Sequence, residues 1–165
     1  MEASAVQKAQ ALTDFFCSGT EYSAKVLQNV KLSFDSILPE NNGLRFSLIV
    51  SDEVVNLGQN LHGGVTATLL DVLTSLALLT YDKKSRGSVS TNLSVDYISA
   101  APNHCELWAD CRVLKIGATL GFTEMELRRK DNNALVAKGS HTKFFLPGSF
   151  SVSSSSSSAP KKAAL

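Results

Sequence analysis

The sequence lacks an excess of charge of either sign, which limits the partners that it can attract. Its 165 residues carry 16 Lys and Arg against 15 Asp and Glu, a formal net charge of +1. Such a balance gives no general attraction to a polyanion, so we expect no nucleic-acid partner. The basic clusters at 83–84, 128–130 and 161–162 are typical of solvated turns and a tail, although one such turn could contact a phosphate of a small ligand.

Cysteines are few and carry no recognisable chemistry. The three, Cys17, Cys105 and Cys111, form no CxxC pair. Cys105 and Cys111 fall on one face of a predicted strand, roughly 20 Å apart, whereas a disulfide needs Cα atoms within about 7 Å. We therefore expect reduced cysteines in an intracellular protein. The ligand spacings of zinc sites are absent too, and we expect no metal.

Several motifs of catalysis and nucleotide binding are missing. The sequence has no GxSxG nucleophile elbow, which argues against an α/β-hydrolase. It has neither GxGxxG nor GxxxxGK[ST], the loops that cradle dinucleotides and nucleoside triphosphates. His62, Asp71 and a serine have no spacing that indicates a catalytic triad.

No targeting signal is predicted. The first residues lack an apolar run and include Glu2 and Asp14, which argues against a signal or transit peptide. The final Ala-Ala-Leu lacks the basic middle residue of an S-K-L-type signal. The expected compartment is the cytoplasm, with mitochondria and the peroxisome as alternatives.

One hydrophobic run, residues 63–81, has the length of a membrane span. Asp71 lies at its centre, where a carboxylate costs about 3 kcal/mol on insertion scales, and Thr66, Thr68, Thr74 and Ser75 add polar groups. We therefore expect a buried helix, and no membrane span.

The remaining pattern predicts an α+β fold. A short helix is expected over 4–17 and a hairpin over 30–50, with a turn at 41–43 and Pro39 ending its first strand. After the long helix, apolar and polar residues alternate at 88–98 and 105–114, which predicts half-buried antiparallel strands, and extended segments at 118–130 and 134–146 complete a predicted meander. Strands on both sides of one apolar helix indicate an antiparallel sheet wrapped around that helix.

This pattern divides the chain into three parts. Residues 1–28 form an N-terminal helical segment, and residues 29–147 form the main domain. Residues 148–165 are rich in serine and of low complexity, and we expect them to be disordered.

Asp71 is the one formal charge between Glu53 and Asp82. A buried carboxylate without partners is costly. At helical spacing Asp71 shares a face with Gly64, Thr68 and Ser75. This face is either an exposed polar stripe or the wall of a cleft, in which Asp71 acts as a general base or a nucleophile.

The start of the same helix has a chemistry of its own. The first N–H groups of a helix have no internal partner and are electropositive. Gly63 and Gly64 let a ligand atom approach the backbone, which suits an oxyanion hole; close packing of the helix on a sheet explains them equally well. His62 either donates to the same carbonyl group or is simply hydrogen-bonded in place.

Helix geometry separates these groups. Gly63 and Asp71 are eight residues apart, about 12 Å along the axis, whereas both must lie close to one reacting carbon. If both serve one reaction, they come from two chains. The sequence therefore predicts a homodimer with composite sites, related by a two-fold axis.

Four stretches together carry a resemblance to a known family. They are "NLGQNLHGGVTATLLD", "SVSTNLSVDYISAAP", "VLKIGATLGFTEMEL" and "ALVAKGSHTKF". They resemble the PaaI-like hotdog-fold acyl-CoA thioesterases over residues 30–145. The resemblance implies a hotdog fold with five or six strands, dimers that pair again into tetramers, and hydrolysis of acyl-CoA without a cofactor.

The resemblance also implies roles for individual residues. Asp71 activates water or attacks directly, Gly63 supplies the oxyanion hole, and Asn56 and Ser90 help to position water. CoA is expected to contact two stretches: Tyr97, Ile98, Ser99, Ala100, Ala101 and Pro102, and Lys115, Ile116, Gly117, Ala118, Thr119 and Leu120. The chain departs from the family pattern in the second stretch, which lacks a further basic residue, and at Phe144, where a polar residue would contact the nucleotide.

The functional hypothesis is thus an acyl-CoA thioesterase. One alternative of the same fold is a hydratase or dehydratase that acts on an acyl thioester. The other is a non-catalytic acyl-CoA-binding or scaffold protein. Release of free thiol separates the first from the other two.

Overall fold

The computed structural model describes residues 2–38 and 42–148, with helices and a hairpin before a long helix and four strands after it. The helices are α1 (Glu2–Cys17), α2 (Tyr22–Asn29) and α3 (Gly63–Tyr81), and Asp52–Val54 forms one 3-10 turn. The strands are β1 (Ser33–Leu38), β2 (Gly43–Ile49), β3 (Ser88–Tyr97), β4 (Glu106–Ile116), β5 (Leu120–Arg129) and β6 (Leu135–Phe145). The predicted order of elements is confirmed, with α2 as an additional helix.

All six strands form one antiparallel sheet in the order β1-β2-β4-β5-β6-β3. The predicted meander is correct for β4, β5 and β6 and wrong for β3, which pairs with β6 at the edge of the sheet. The reason lies in the segment after β3. It is tied to the loop before α3, because Leu61 N–H donates to the Ala101 carbonyl and Asn60 bridges to Pro102.

Helix α3 packs in the curve of this sheet. Leucines at 69, 70, 73 and 76 are fully buried, as the apolar sequence of the helix predicts. Two glycines allow the close approach. A Cβ at Gly139 would overlap Leu70 and the Ser94 carbonyl oxygen, and one at Gly121 would press on Leu78. This fold of one helix wrapped by an antiparallel sheet is the predicted α+β architecture.

Several further expectations bear on this description. Cys17, Cys105 and Cys111 are free in the described part of the chain, as expected. Within residues 2–38 and 42–148, α3 is the one helix long and apolar enough to cross a membrane, and 61% of its apolar window is buried inside the fold. Pro39 and Asn41 of the predicted hairpin, and the predicted tail beyond Gly148, lie outside the described residues.

Candidate active site

A polar cluster surrounds Asp71 on an otherwise apolar helix. Ser90, from β3, places its hydroxyl 3.1 Å from Asp71 Oδ1. His141 Nε2 lies 2.9 Å from Ser90 Oγ and 3.4 Å from Asp71 Oδ1, and Lys143 Nζ lies 3.9 Å from the same carboxylate oxygen. Strand register brings them together, because β3 and β6 pair Ser90 with Lys143. The Asp71 side chain is 48% exposed, so the cluster is open to water or a substrate at the carboxylate.

His141 is fixed in one tautomer by its neighbours. Its side chain is 0% exposed, and Nδ1 lies 2.7 Å from the Thr74 hydroxyl. That hydroxyl donates to the Leu70 carbonyl at 2.6 Å, so it accepts the proton of Nδ1. Nε2 is then an acceptor that faces Ser90. Burial, the largest cause, lowers the pKa of His141 to about 4, so the ring is neutral at pH 7.

Lys143 brings a buried ammonium group to the cluster. Its side chain is 8% exposed. Nζ donates to Ser75 Oγ at 2.8 Å and lies 3.4 Å from Ser90 Oγ. The Ser75 hydroxyl itself donates to the Asp71 backbone carbonyl at 2.6 Å, which leaves its lone pairs for the ammonium group. Burial lowers the pKa of Lys143 from its ordinary value, and the charge of Asp71 partly opposes this.

The N-terminal end of α3 has a different arrangement. His62 is the N-cap residue, and its Nδ1 accepts the Gly64 N–H at 2.9 Å, so this histidine is hydrogen-bonded in place. Among the hydrogen bonds of residues 2–38 and 42–148, none uses the Gly63 N–H. Tyr97 fixes the other side of this residue, since its hydroxyl donates to the Gly63 carbonyl at 3.1 Å. Within the described residues, α3 thus begins with a backbone N–H that has no hydrogen-bond partner.

Asn56 shapes the loop before this helix. Its side-chain oxygen accepts the Gly58 N–H at 2.9 Å and the Asn60 N–H at 3.3 Å. This leaves the amide NH2 of Asn56 as the part that can face a substrate.

The predicted site residues therefore form two groups within one chain. Asp71, in the middle of α3, contacts Ser90 of β3. Gly63, His62 and Asn56 lie at its N-terminal end, two turns away.

The two stretches expected to contact CoA are also at opposite ends of α3. Residues 97–102 lie at its N-terminal end, where Tyr97 reaches Gly63. Residues 115–120 lie at its C-terminal end. Arg86 donates to the Ala118 carbonyl and also pairs with the carboxylate of Asp82, the residue that caps the end of α3. One chain alone does not unite the two stretches.

The chemistry that the cluster offers is acid-base chemistry by protein groups. Within residues 2–38 and 42–148 no group of three or more His, Cys, Asp or Glu side chains is placed to hold a metal ion. The Cys111 thiol, buried under α3 in β4, is unreactive at pH 7, since burial raises its pKa well above the ordinary value.

Sequence reasoning missed His141 and Lys143. Along β6 the residues on the inner face are Ala137, Gly139, His141, Lys143 and Phe145, and those on the outer face include Lys138 and Phe144. Both faces mix polar and apolar residues, so alternation does not distinguish them. The one available signal was a histidine and a lysine, two residues apart, in a predicted strand.

Comparison with known proteins shows that this chain is similar to thioesterases. The Thioesterase superfamily profile matches residues 58–136. A Caenorhabditis elegans protein named as an esterase is 40% identical over 100 residues, which cover 61% of this chain and 59% of that protein. Mouse acyl-coenzyme A thioesterase 13 is 35% identical over 119 residues, 72% of this chain and 81% of that one.

A solved structure agrees with the sequence matches. Zebrafish thioesterase superfamily member 2 superposes with a TM-score of 0.74 at 29% identity, over 82% of this chain and 94% of that chain. The antiparallel sheet around one long helix is therefore a hotdog fold, as the sequence resemblance implied.

Proposed function

Because the chain belongs to the thioesterase superfamily, we propose that it hydrolyses acyl-CoA to a free carboxylic acid and CoA. The aligned part spans only 59% of the nematode relative, so the activity is inferred from the family and the site together. The observation that carries the proposal is the half-exposed carboxylate of Asp71 in the core helix. It accepts a hydrogen bond from Ser90 and lies next to a buried histidine and a buried lysine of β6.

The proposed reaction is a direct attack of water on the thioester. Asp71 takes a proton as the water oxygen bonds to the carbonyl carbon, and Ser90 helps to hold that water. The carbonyl oxygen becomes an anion and is stabilised by the Gly63 N–H. The carbon–sulfur bond then breaks, the acid is released, and the CoA thiolate takes up the proton. Asn56, at the same end of α3 as Gly63, is proposed to help to position the attacking water, which is the only co-reactant.

We propose further that each site is shared between two chains. The edge strand β3 is ten residues long and contains neither lysine nor proline, the residues that usually protect a free edge. Its inner face exposes Leu93 and Tyr97 beyond the cover of α3. An apolar inner face at a free edge supports pairing with a second copy.

The position of the two anchor points on β3 supports a composite site. Asp71 contacts β3 at Ser90, and Gly63 contacts it at Tyr97. Antiparallel pairing of β3 with itself, about a two-fold axis midway between Ser90 and Tyr97, puts Ser90 opposite Tyr97 of the partner subunit. Asp71 of one chain then lies near Gly63 of the partner subunit. The same operation brings residues 97–102 towards residues 115–120 of the partner subunit, which gives CoA one continuous surface. A further pairing of dimers into tetramers is proposed on the family resemblance alone.

The test is steady-state hydrolysis of a panel of acyl-CoAs that vary in chain length and in aromatic or aliphatic character. Wild type is expected to release free thiol, and Asp71→Asn to lose about 10²–10⁴ in kcat while remaining folded. Near-equal rates for the two proteins would contradict the mechanism. Consumption of an unsaturated acyl-CoA with its thioester intact would indicate a hydratase, and tight binding without turnover a scaffold.

A further inference from the structure

The proposed base, Asp71, lies beside a single cation in the described part of the chain. From β6, only His141 and Lys143 bring titratable groups to Asp71, and His141 is neutral at pH 7. Most of the other elements that pack on α3 bring uncharged groups: Ser90 from β3, Thr123 from β5, the Cys111 thiol from β4, and Tyr22 of α2, which contacts Thr68. Helix α1 brings Lys8, whose ammonium group lies beside Asp82 and Ser85 instead.

The contacts of Lys143 connect both sides of the cluster. Its ammonium group donates to Ser75, one turn beyond Asp71 in α3, and lies within reach of Ser90 in β3. Because Ser90 can accept from Lys143, its own proton is left for Asp71 or for the acceptor Nε2 of His141. The lysine therefore orients a lone pair of the Ser90 oxygen and leaves its proton for one of these two acceptors.

A lysine is an expensive residue at this place. Its charge is withdrawn from water, and the Asp71 carboxylate that faces it remains 48% exposed and solvated. Such a pair stabilises a fold little, and an apolar side chain of the same length would pack as well or better. A residue that costs stability and contacts the proposed base is explained more readily by activity than by folding.

We propose that Lys143 is a positioning residue of the hydrolytic site, which fixes the Asp71 carboxylate and the Ser90 hydroxyl for attack by water. This inference rests on the proposed function. Lys143 has no surface of its own towards a substrate, so it acts on the rate of the chemical step and not on binding of acyl-CoA.

The test compares Lys143→Met, which removes the charge at nearly constant length, with Lys143→Arg, which keeps it. Lys138→Met is the matched control, since Lys138 lies on the same strand with its side chain on the outer face. The measurements are kcat and KM for an acyl-CoA that wild type hydrolyses, and the melting temperature. Lys143→Met is expected to lower kcat about 10- to 100-fold with KM within about twofold, at an unchanged or higher melting temperature. Lys138→Met should keep the wild-type kcat.

A second measurement follows the charge itself. In wild type, kcat is expected to fall at alkaline pH as Lys143 loses its proton, earlier than for an exposed lysine because burial lowers its pKa. Arg86, just beyond the C-terminal end of α3, is paired with Asp82 and keeps its charge. Lys143→Arg should lack this alkaline limb. Loss of thioester absorbance follows the reaction here, with the spontaneous rate subtracted.

Several results would overturn the inference. They are a wild-type kcat in Lys143→Met, a loss of kcat that merely follows a lower melting temperature, or the same alkaline limb in wild type and Lys143→Arg. The last comparison decides the matter even if Lys143→Met does not fold. Absence of hydrolysis by wild type across the whole acyl-CoA panel would instead contradict the proposed function.

Discussion

At the scale of the residue, the amide hydrogen of Gly63 carries the proposed stabilisation of negative charge. Proline at this position removes that hydrogen with little other change. It is favoured at the first residue of a helix, and His62 before it already has the extended backbone that proline requires, with ψ of 134°. We expect Gly63→Pro to lower kcat by about 10²–10³.

Gly63→Ala is the matched control for this substitution. It keeps the amide, and the added Cβ lies 3.4 Å from Tyr97 Cε1, an ordinary contact. Steady-state hydrolysis should show most of the wild-type kcat in the alanine variant. Equal losses in the two variants would mean that bulk, and not the lost hydrogen, is responsible.

His141 predicts a dependence of stability on pH. Its pKa is about 4 in the folded chain and about 6.5 when unfolded, so below pH 6.5 the unfolded state takes up a proton that the folded state does not. Stability is therefore complete above pH 6.5 and is lost as pH falls towards 4, by about 3 kcal/mol in all. Denaturant unfolding between pH 4 and 7 measures this.

The comparison that isolates this effect uses two variants. Because His141→Gln removes the buried titrating ring, it should flatten the dependence of the free energy of unfolding on pH between 4 and 6.5. His104→Gln, at an exposed position, should keep the wild-type curve. Parallel curves for wild type and His141→Gln would show that another group is responsible.

At this scale the residue pattern indicated Asp71 and the family resemblance indicated Ser90, but neither indicated their neighbours on β6. Asp71 stood out because its surroundings in the chain are apolar over many residues. His141 and Lys143 stand in a strand with polar residues on both faces, and only the pairing of β3 with β6 brings them to Asp71. From the sequence, His62 was either hydrogen-bonded in place or a donor to the carbonyl group, and the structure shows that its Nδ1 caps α3.

At the scale of the element, β3 is the strand that the proposed assembly depends on. Leu93 lies on its inner face and is exposed in the single chain. A carboxylate at this position costs the monomer little, but it would be buried in a β3–β3 pair. Leu93→Asp should therefore yield monomers and abolish hydrolysis, as measured by analytical ultracentrifugation and an acyl-CoA assay.

The other edge of the sheet supplies the control. Ser33→Asp places the same carboxylate on β1, where Ser33 is exposed, and should leave both mass and rate unchanged. Dimers of Leu93→Asp with full activity would exclude β3 as the interface.

Elements with strong periodicity could be predicted, and those held by packing could not. The span of α3 follows from its apolar run, and the spans of β3 and β4 follow from alternation. Helix α2 has only eight residues and no side-chain cap, and it is held by burial of Ala24, Val26 and Leu27 against the rest of the fold. The place of β3 beside β6 depends on contacts between distant segments, which periodicity does not report.

At the scale of the whole molecule, the proposed hydrolysis requires two chains that share one site. Eight residues of helix separate Gly63 from Asp71, and that distance was already evident from the sequence. The structure adds the link between them: β3 touches Asp71 at one end and Gly63 at the other, so an antiparallel pair of β3 strands exchanges the two ends.

Mixing two inactive variants tests this claim most directly. In a dimer of one Asp71→Asn chain and one Gly63→Pro chain, one site combines an intact Asp71 with an intact Gly63, and the other site has neither. With equal amounts and free exchange, half of the dimers are mixed, so about 25% of wild-type activity should return. A mixture whose subunits have exchanged, as verified by mass spectrometry, but whose activity is no greater than the sum of the two variants would contradict a shared site.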